Sequence, residues 1–399
     1  MKILQINSVY KSGSTGRIVK ELSDFIDSKG ERSFVIFGRK SGKANSLNVF
    51  NYSSMIGFSF HLFLTRIFDR HGFGSLIATK RIIRKIKQID PDIIHIHNIH
   101  GYYLNFNLLI EFLKGFGKPI VWTLHDCWLF TGHCAYFSNV NCEKWITGCN
   151  KCPAKKYYPT SIGFDNSRSN YESKKLALSD LSDVVYVTPS TWLERQLNQS
   201  FLKTKPHKII PNGINLNVFK PNKTNYFERH NITNKFIIIG VSNIWEERKG
   251  LDFFHKLSKK LDSNFFIFLV GLSKKQIKQL PPNIIGIERT ENVNELVEIY
   301  SSADILLNSS TEETFGLVTL EAQACGTPVI VFNSTALPEV VNSNTGFVVR
   351  KNDLEQTIKA INYARSKPFN RTECRINAET YSDNKMYNEY FSLYKDLLG

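Results

Sequence analysis

Along this chain, short runs of aliphatic and β-branched residues alternate with longer stretches whose apolar positions recur every three or four residues. The first kind predicts strands and the second amphipathic helices. In the first half the strands fall at Lys2–Ile6, Ser33–Phe37, Ile93–His97, Ile120–Leu124 and Val184–Thr188. In the second half they fall at Phe236–Val241, Phe265–Val270, Ile284–Ile287, Ile305–Asn308 and Val329–Phe332. Strands alternating with helices over such a length predict parallel α/β sheets. Two doubly wound, Rossmann-like units in tandem would bind a ligand at the carboxyl ends of their strands, in the cleft between them. The stretch Lys203–Asn222, with Pro206, Pro211, Gly213 and Pro221, is the natural boundary. We therefore expect domains at 1–205 and 206–376, followed by a helical tail over 377–399 with Tyr387, Tyr390, Phe391 and Tyr394 on one side.

Composition keeps this picture globular: 399 residues, 42% hydrophobic and 22% charged, suit two domains with their own cores. The start, MKILQINSVY, lacks the charged and apolar regions of a signal peptide. No apolar run approaches the length that crosses a bilayer. The expected location is the cytoplasm. Charge adds a bias, because the net is +15 and the first 200 residues hold 26 Lys+Arg against 15 Asp+Glu. Such an excess favours an anionic partner: nucleic acid, an anionic membrane surface or a phosphorylated substrate. The apolar stretch from Met55 and the basic residues Lys80, Arg81, Arg84, Lys85 and Lys87 could lie on an anionic membrane, or could be packed helices with a basic outer face.

The densest chemistry lies in Ser309–Glu321, which joins a buried strand to a helix read over Leu317–Cys325. Phe315, Gly316 and Leu317 stand at that turn, where the backbone N–H groups of a helix N-terminus can hold a phosphate. Glu313 precedes the turn and Glu321 lies inside the helix, so both could accept hydrogen bonds from sugar hydroxyls. That arrangement suits a nucleotide-sugar; a solvated helix start is the plainer reading. Elsewhere, Gly13 and Gly16 in NSVYKSGSTGR permit close approach to a phosphate beside Arg17. His125 and Asp126 end one strand, and His97 and Asn98 end another, with His100 following. His95 and His97 alternate along their strand, so one of them is expected in packing. Arg248 and Lys249 precede a helix, where positive charge opposes the dipole and so asks for a purpose. Asp90-Pro91-Asp92 looks like a metal-holding D-x-D but precedes a strand and reads as a turn. Five of the seven cysteines lie between Cys127 and Cys152. Cys134, Cys142, Cys149 and Cys152 could hold a structural zinc, with Cys127 and His133 as spare ligands, or could be free thiols. No carboxylate cluster suggests a catalytic metal.

The stretch Glu313 to Ile330, E-x-F-G-L-V-x-L-E-A-Q-A-C-G-T-P-V-I, closely resembles the signature of retaining GT-B glycosyltransferases, family 4 in particular. The resemblance runs through most of the chain: Met1–Arg17, PDIIHIHN (Pro91–Asn98), TLHD (Thr123–Asp126), IIPNGIN (Ile209–Asn215) and RKG (Arg248–Gly250) match in order and spacing. HNIHGYYLN, HDCWLFTGHC and GCNKCP look like the subgroup that builds colanic acid and other bacterial exopolysaccharides. The resemblance implies a GT-B fold whose last helix returns to the first domain. It also implies metal-independent transfer of a hexose or N-acetylhexosamine from a nucleoside-diphosphate sugar, UDP- ahead of GDP-, to a glycan or lipid-linked glycan. In such relatives Glu313 would bind donor-sugar hydroxyls, Glu321 the ribose, and the amides at Phe315–Leu317 phosphate and sugar. Lys249 would neutralise the leaving diphosphate, His125 would lie next to the donor sugar, Asp126 would shape the acceptor side, and Gly13 and Gly16 would face the diphosphate. The family's usual arginine directly after the strand is missing; Ser242, Asn243, Ile244 and Trp245 stand there. Either Arg248 takes its place from a different angle, or phosphate binding is rebuilt.

Two other readings compete. A basic, zinc-containing nucleic-acid-binding protein leaves the Glu313–Glu321 segment unexplained, so no nucleic-acid partner is expected. A GT-B protein that only binds nucleotide or glycan draws its support from the Ser242–Trp245 departure. The working expectation is a cytoplasmic transferase, peripheral on the inner face of the membrane.

Overall fold

Each predicted aliphatic run is a strand, and all but the edge strand Ile284–Ile287 are buried along most of their length, as expected where helices cover both faces of a parallel sheet. The computed structural model describes residues 1–39 and 47–399. Its strands are β1 (Lys2–Asn7), β2 (Arg32–Phe37), β3 (Val49–Asn51), β4 (Ile93–Ile96), β5 (Ile120–Thr123), β6 (Val184–Thr188) and β7 (His207–Ile209) in one sheet. A second sheet holds β8 (Phe236–Val241), β9 (Phe265–Val270), β10 (Ile284–Ile287), β11 (Ile305–Asn308), β12 (Val329–Phe332) and β13 (Gly346–Val349). The short strands β3, β7 and β13, each at a sheet edge, were outside the sequence expectation.

Two units result. Unit 1 is Met1–Ile210 with Tyr387–Gly399, and unit 2 is Pro211–Met386. The division follows the proline-marked stretch, and the chain returns to unit 1 later than the expected 377. Unit 1 carries helices α1 (Gly13–Ser28), α2 (Met55–Phe68), α3 (Leu76–Ile89), α4 (Phe106–Lys114), α5 (Lys144–Thr147), α6 (Ser167–Ser179) and α7 (Thr191–Gln199). Unit 2 carries α8 (Tyr226–Arg229), α9 (Leu251–Ser258), α10 (Lys274–Ile277), α11 (Val293–Ser302), α12 (Leu317–Ala324), α13 (Leu354–Ser366) and α14 (Arg371–Glu379). The last helix, α15 (Asp383–Leu398), starts in unit 2 and from Tyr387 packs within unit 1. There Tyr387 donates to Glu21 at 2.8 Å, and the Tyr394 hydroxyl lies 2.6 Å from His95.

Unit 1 has strand order β3-β2-β1-β4-β5-β6-β7 and unit 2 has β10-β9-β8-β11-β12-β13. Neighbouring strands are parallel in both. Each order runs outward in both directions from one pair of strands, β1/β4 and β8/β11. Such a switch point leaves a crevice outside the carboxyl ends of the strands, where open α/β sheets bind ligands. The core of unit 2 shows the alternation of a sheet covered on both faces. Ile239 and Leu306 pack with Tyr300 and Phe219 on one side, while Ile238 and Leu307 pack with Phe254 and Ile361 on the other.

Candidate functional site

In unit 2 the switch point is occupied by the predicted residues. Lys249 follows β8 and Glu313 follows β11, and their side chains form an ion pair, each about a fifth exposed or less (17% and 19%). Arg248 lies beside them, donating from Nη1 to the Glu312 carbonyl at 3.1 Å and from Nε to Glu246 at 3.2 Å. Burial alone would raise the Glu313 carboxyl, but the charges of Lys249 and Arg248 outweigh it and hold it below the usual range. For Lys249, burial lowers the ammonium and Arg248 adds to that, against the pull of Glu313.

The loop Ser309–Gly316 is held from two sides. The Ser309 hydroxyl donates to the Lys249 carbonyl at 3.0 Å, and the Thr311 N–H donates to the Arg248 carbonyl at 2.8 Å. This close approach needs Gly250, which has φ +78°; a Cβ there would stand 2.5 Å from the Ser309 carbonyl oxygen. On the other side Thr335 Oγ accepts from the Glu313 N–H at 2.8 Å and donates to its carbonyl at 2.6 Å. Thr335 does so at φ +51°, a conformation that costs a β-branched residue energy and that concentrates at functional sites. Gly316 then opens α12 at φ +105° with no side-chain cap. The helix N-terminus is therefore presented as backbone amides, suited to an anion. Glu321 is buried on α12, and Tyr300 donates to it at 3.0 Å. Tyr300 and Thr335 were invisible to motif reading, because nothing in their own sequence context marks them as partners of the two glutamates.

In the segment that stands where the arginine is missing, Ser242 and Trp245 turn inward while Asn243 and Ile244 are exposed. Trp245 is buried with its ring N–H on the Val270 carbonyl at 2.9 Å, and Ser242 donates to the Ile244 carbonyl at 2.8 Å. Arg248 lies on the same short turn as Lys249.

In unit 1 the β1/β4 switch point carries the glycine loop and a row of histidines. Gly13 and Gly16 lie in the first turn of α1, whose N-terminal Ser12 makes no side-chain cap. Asn98 N–H donates to Asn7 Oδ1 at 3.2 Å, tying the ends of β1 and β4 together. His95 and His97 are both buried, which corrects the expectation of only one in packing: residues two apart on a strand share a face, and the rings are 4.0 Å apart. His97 Nδ1 lies 3.0 Å from His125 Nε2, with the rings stacked. Burial pushes His125 down to about 4, so at neutral pH it is an uncharged donor and acceptor. Asp126 is engaged by His100 at 2.8 Å and by the Trp128 N–H at 2.9 Å. Burial would raise it, but His100 and that N–H bring it below the usual range. His97, His100, His125 and Asp126 line a narrow cleft open to solvent, together with Asn98 and Leu129. Asp90 and Asp92 lie at the opposite end, on Lys118 and on the Lys2 N–H, so that pair is the expected turn.

The cysteine loop is pinned by the spare ligand candidate His133 and by two residues the sequence did not flag, Asp69 and Lys174. His133 pairs with the buried carboxylate of Asp69. Lys174 is fully buried and donates to the carbonyls of Trp128 at 2.6 Å and Thr131 at 2.9 Å. Cys134, Cys142, Cys149 and Cys152, the expected zinc ligands, all belong to this loop and lie near enough for their charges to interact. Among the described residues no three His, Cys, Asp or Glu side chains are placed to hold a metal ion. Cys149 Sγ instead accepts from the Gly132 N–H at 3.2 Å, while Cys134 and Cys152 hydrogen-bond to each other.

Comparison with known proteins extends this picture. Residues 15–218 match the family described as Glycosyltransferase Family 4, and residues 222–381 match Glycosyl transferases group 1. The chain is 25% identical, over 100% of both sequences, to the putative colanic acid biosynthesis glycosyl transferase WcaC of Escherichia coli K12. It is 27% identical to the N-acetyl-alpha-D-glucosaminyl L-malate synthase of Bacillus anthracis, over 60% of this chain and 65% of that one. Among solved structures, a glycosyltransferase from Rickettsia africae aligns with TM-score 0.70 at 20% identity, covering 100% of this chain and 98% of that one. HepE of Anabaena in complex with UDP-glucose aligns with TM-score 0.66 at 15% identity, covering 99% and 100%.

Proposed function

Because the chain belongs to glycosyltransferase family 4, with a group 1 glycosyl transferase region behind it, we propose that it is a retaining hexosyltransferase of polysaccharide synthesis. It moves a hexose or N-acetylhexosamine from a nucleoside-diphosphate sugar, UDP- before GDP-, to a glycan or lipid-linked glycan acceptor. The observation that carries this reading is the Lys249–Glu313 ion pair with Arg248, at the switch point of unit 2 beside the uncapped N-terminus of α12. HepE, solved with UDP and with UDP-glucose, supports a uridine donor.

In this proposal the donor diphosphate sits on the amides of Phe315–Leu317 and against the cations of Lys249 and Arg248. The bond from the sugar's anomeric carbon to the diphosphate oxygen breaks heterolytically, leaving an oxocarbenium-like centre and a diphosphate that gains negative charge. Preorganised positive charge stabilises that leaving group in a low-dielectric setting. Glu313 holds sugar hydroxyls once the donor competes for Lys249, and Glu321, oriented by Tyr300, takes the ribose. The acceptor hydroxyl attacks from the same face and its proton passes to the departing oxygen, which gives retention without a protein nucleophile. The carboxylate-pair scheme of glycosidases is not invoked for Glu313 and Glu321. In unit 1, His125, Asp126, Gly13 and Gly16 are the groups assigned to acceptor binding.

A panel of UDP-, GDP- and ADP-sugars in a thermal-shift assay tests the donor assignment, since a ligand bound only to the native state stabilises it. At least one UDP-sugar is expected to raise the melting temperature of wild type and to lose most of that shift in Lys249→Ala. No shift with any member would count against the reading.

A further inference from the structure

One face of the unit 1 sheet is polar at its centre although it is buried. Side chains alternate along β1, so Leu4 and Ile6 join the aliphatic core while Gln5 lies on the other face. Gln5 stands opposite His95 of β4 in the parallel register. His97, Thr123 and His125 lie at the carboxyl ends of β4 and β5, and all five residues are buried. Polar groups removed from water are costly unless their hydrogen bonds are made, so each proton in such a network has a definite place.

The network has two branches. His95 lies between hydroxyls, with Tyr394 2.6 Å from its Nδ1 and Thr123 2.8 Å from its Nε2, and Tyr390 a further 2.9 Å from Thr123. A hydroxyl can turn to give or take a proton, so this branch suits either neutral form of the ring. The other branch begins at a group that can only accept. The Val19 carbonyl accepts from Gln5 Nε2 at 3.1 Å, which leaves Gln5 Oε1 facing His97 Nε2 at 3.3 Å. His97 Nε2 therefore carries a proton. Burial holds His97 uncharged, so its Nδ1 carries none and accepts. The group 3.0 Å from that nitrogen is His125 Nε2, which must donate. His125 is uncharged as well, so its proton sits on Nε2 and its lone pair on Nδ1.

We propose that Gln5 is a positioning residue: through His97 it fixes the proton of His125 on Nε2, so that His125 meets a substrate in the cleft as a hydrogen-bond acceptor. An accepting nitrogen favours a hydroxyl and disfavours a carboxylate or phosphate oxygen, which would bring a second lone pair. Sites built to hydrogen-bond a hydroxyl reject analogues that lack it, because the buried polar group is then left unpaired. That the hydroxyl belongs to a sugar rests on the function proposed above; the placement of the proton does not.

Long-range proton–nitrogen NMR correlations of the full-length protein carrying isotope-labelled histidine report which ring nitrogen holds the proton. The His97 and His125 signals are those lost in His97→Asn and His125→Asn. At neutral pH both rings of wild type should be Nε2–H forms. Gln5→Met keeps the length of the side chain and removes the amide oxygen. His97 should then carry its proton on Nδ1 and donate to His125 Nε2, which drives His125 to its Nδ1–H form two hydrogen bonds away from the substitution. Release of nucleoside diphosphate from the member of a UDP-glucose, UDP-galactose and UDP-N-acetylglucosamine panel that wild type consumes fastest should fall by at least about tenfold in Gln5→Met, as expected for a histidine in the wrong tautomer. An Nδ1–H or doubly protonated His125 in wild type would overturn the proposal, and that spectrum is decisive even if Gln5→Met does not fold. So would an unchanged His125 tautomer, or undiminished release, in folded Gln5→Met. If wild type releases nucleoside diphosphate from no donor, the proposed function fails while the tautomers still decide where the proton lies.

Discussion

At the scale of single residues, Lys249 and Glu313 hold each other in an ion pair. Glu313 stays ionised through the neutral range because neighbouring cations overcome its burial. Removing Lys249 takes away positive charge aimed at the leaving group, so Lys249→Ala should lower kcat by about 10²–10³-fold. Arg248→Ala should do less, since that guanidinium also holds the Glu312 carbonyl; steady-state kinetics with a saturating donor separates the two. The buried histidines of unit 1 set a second expectation. Burial drives His125 and His61 down to about 4, and His95, His97 and His71 also fall well below the usual value. Unfolding restores an ordinary pKa near 6.5, so the unfolded chain binds more protons between pH 6.5 and 4. Stability is therefore full above that window and lost as pH falls through it, at up to about 1.4 kcal/mol per pH unit for each group. His133 opposes this: burial pulls it down, but Asp69 carries it above the usual value. Thermal melts from pH 7 to pH 4.5 should show a steady decline that His125→Asn makes shallower. A flat profile would contradict the described burial.

At the scale of elements, Gly316 is where local conformation and chemistry meet. Its φ of +105° disfavours any side chain, and a Cβ would stand 2.9 Å from Leu337. Gly316→Ala should cost about 1–3 kcal/mol and weaken donor binding together, because the same turn aims the α12 amides. Calorimetry on wild type and variant would check both. The strand pattern was legible because buried parallel strands are continuous aliphatic runs. The strand-to-helix turn at Phe315-Gly316 was legible because it falls between such a run and a helix. Less was readable at β3 and β7, each three residues long, where too few positions exist to set a period. The inverted face of α2, with His61 and Thr65 buried and Phe60 and Phe63 exposed, was hidden for another reason: its apolar residues have helical spacing whichever side is buried. Only the His61 hydrogen bonds, with the Ser75 hydroxyl and the Gly72 N–H, decide which side that is. Tyr300, Thr335 and Lys174 lay beyond reach because their partners are distant in sequence.

At the scale of the whole molecule, the chain repeats one design. Two parallel sheets share a strand order, and each collects its chemistry at the switch point: amides, cations and carboxylates in unit 2, neutral histidines and a glycine turn in unit 1. Net charge follows the same division. The basic excess of the first half is concentrated where α3 lies, while unit 2 confines its key cations to one short turn. Family membership and the polysaccharide relatives agree with a transferase so organised. Its central claim is glycosyl transfer from a nucleoside-diphosphate sugar driven by the Lys249, Arg248 and Glu313 cluster. The direct measurement is release of nucleoside diphosphate from a panel of UDP- and GDP-sugars by wild type and Lys249→Ala, with and without a glycan acceptor. Wild type should turn over at least one donor and Lys249→Ala should be slower by about 10² or more. No release by wild type with any donor, or equal rates for the two proteins, would contradict the account.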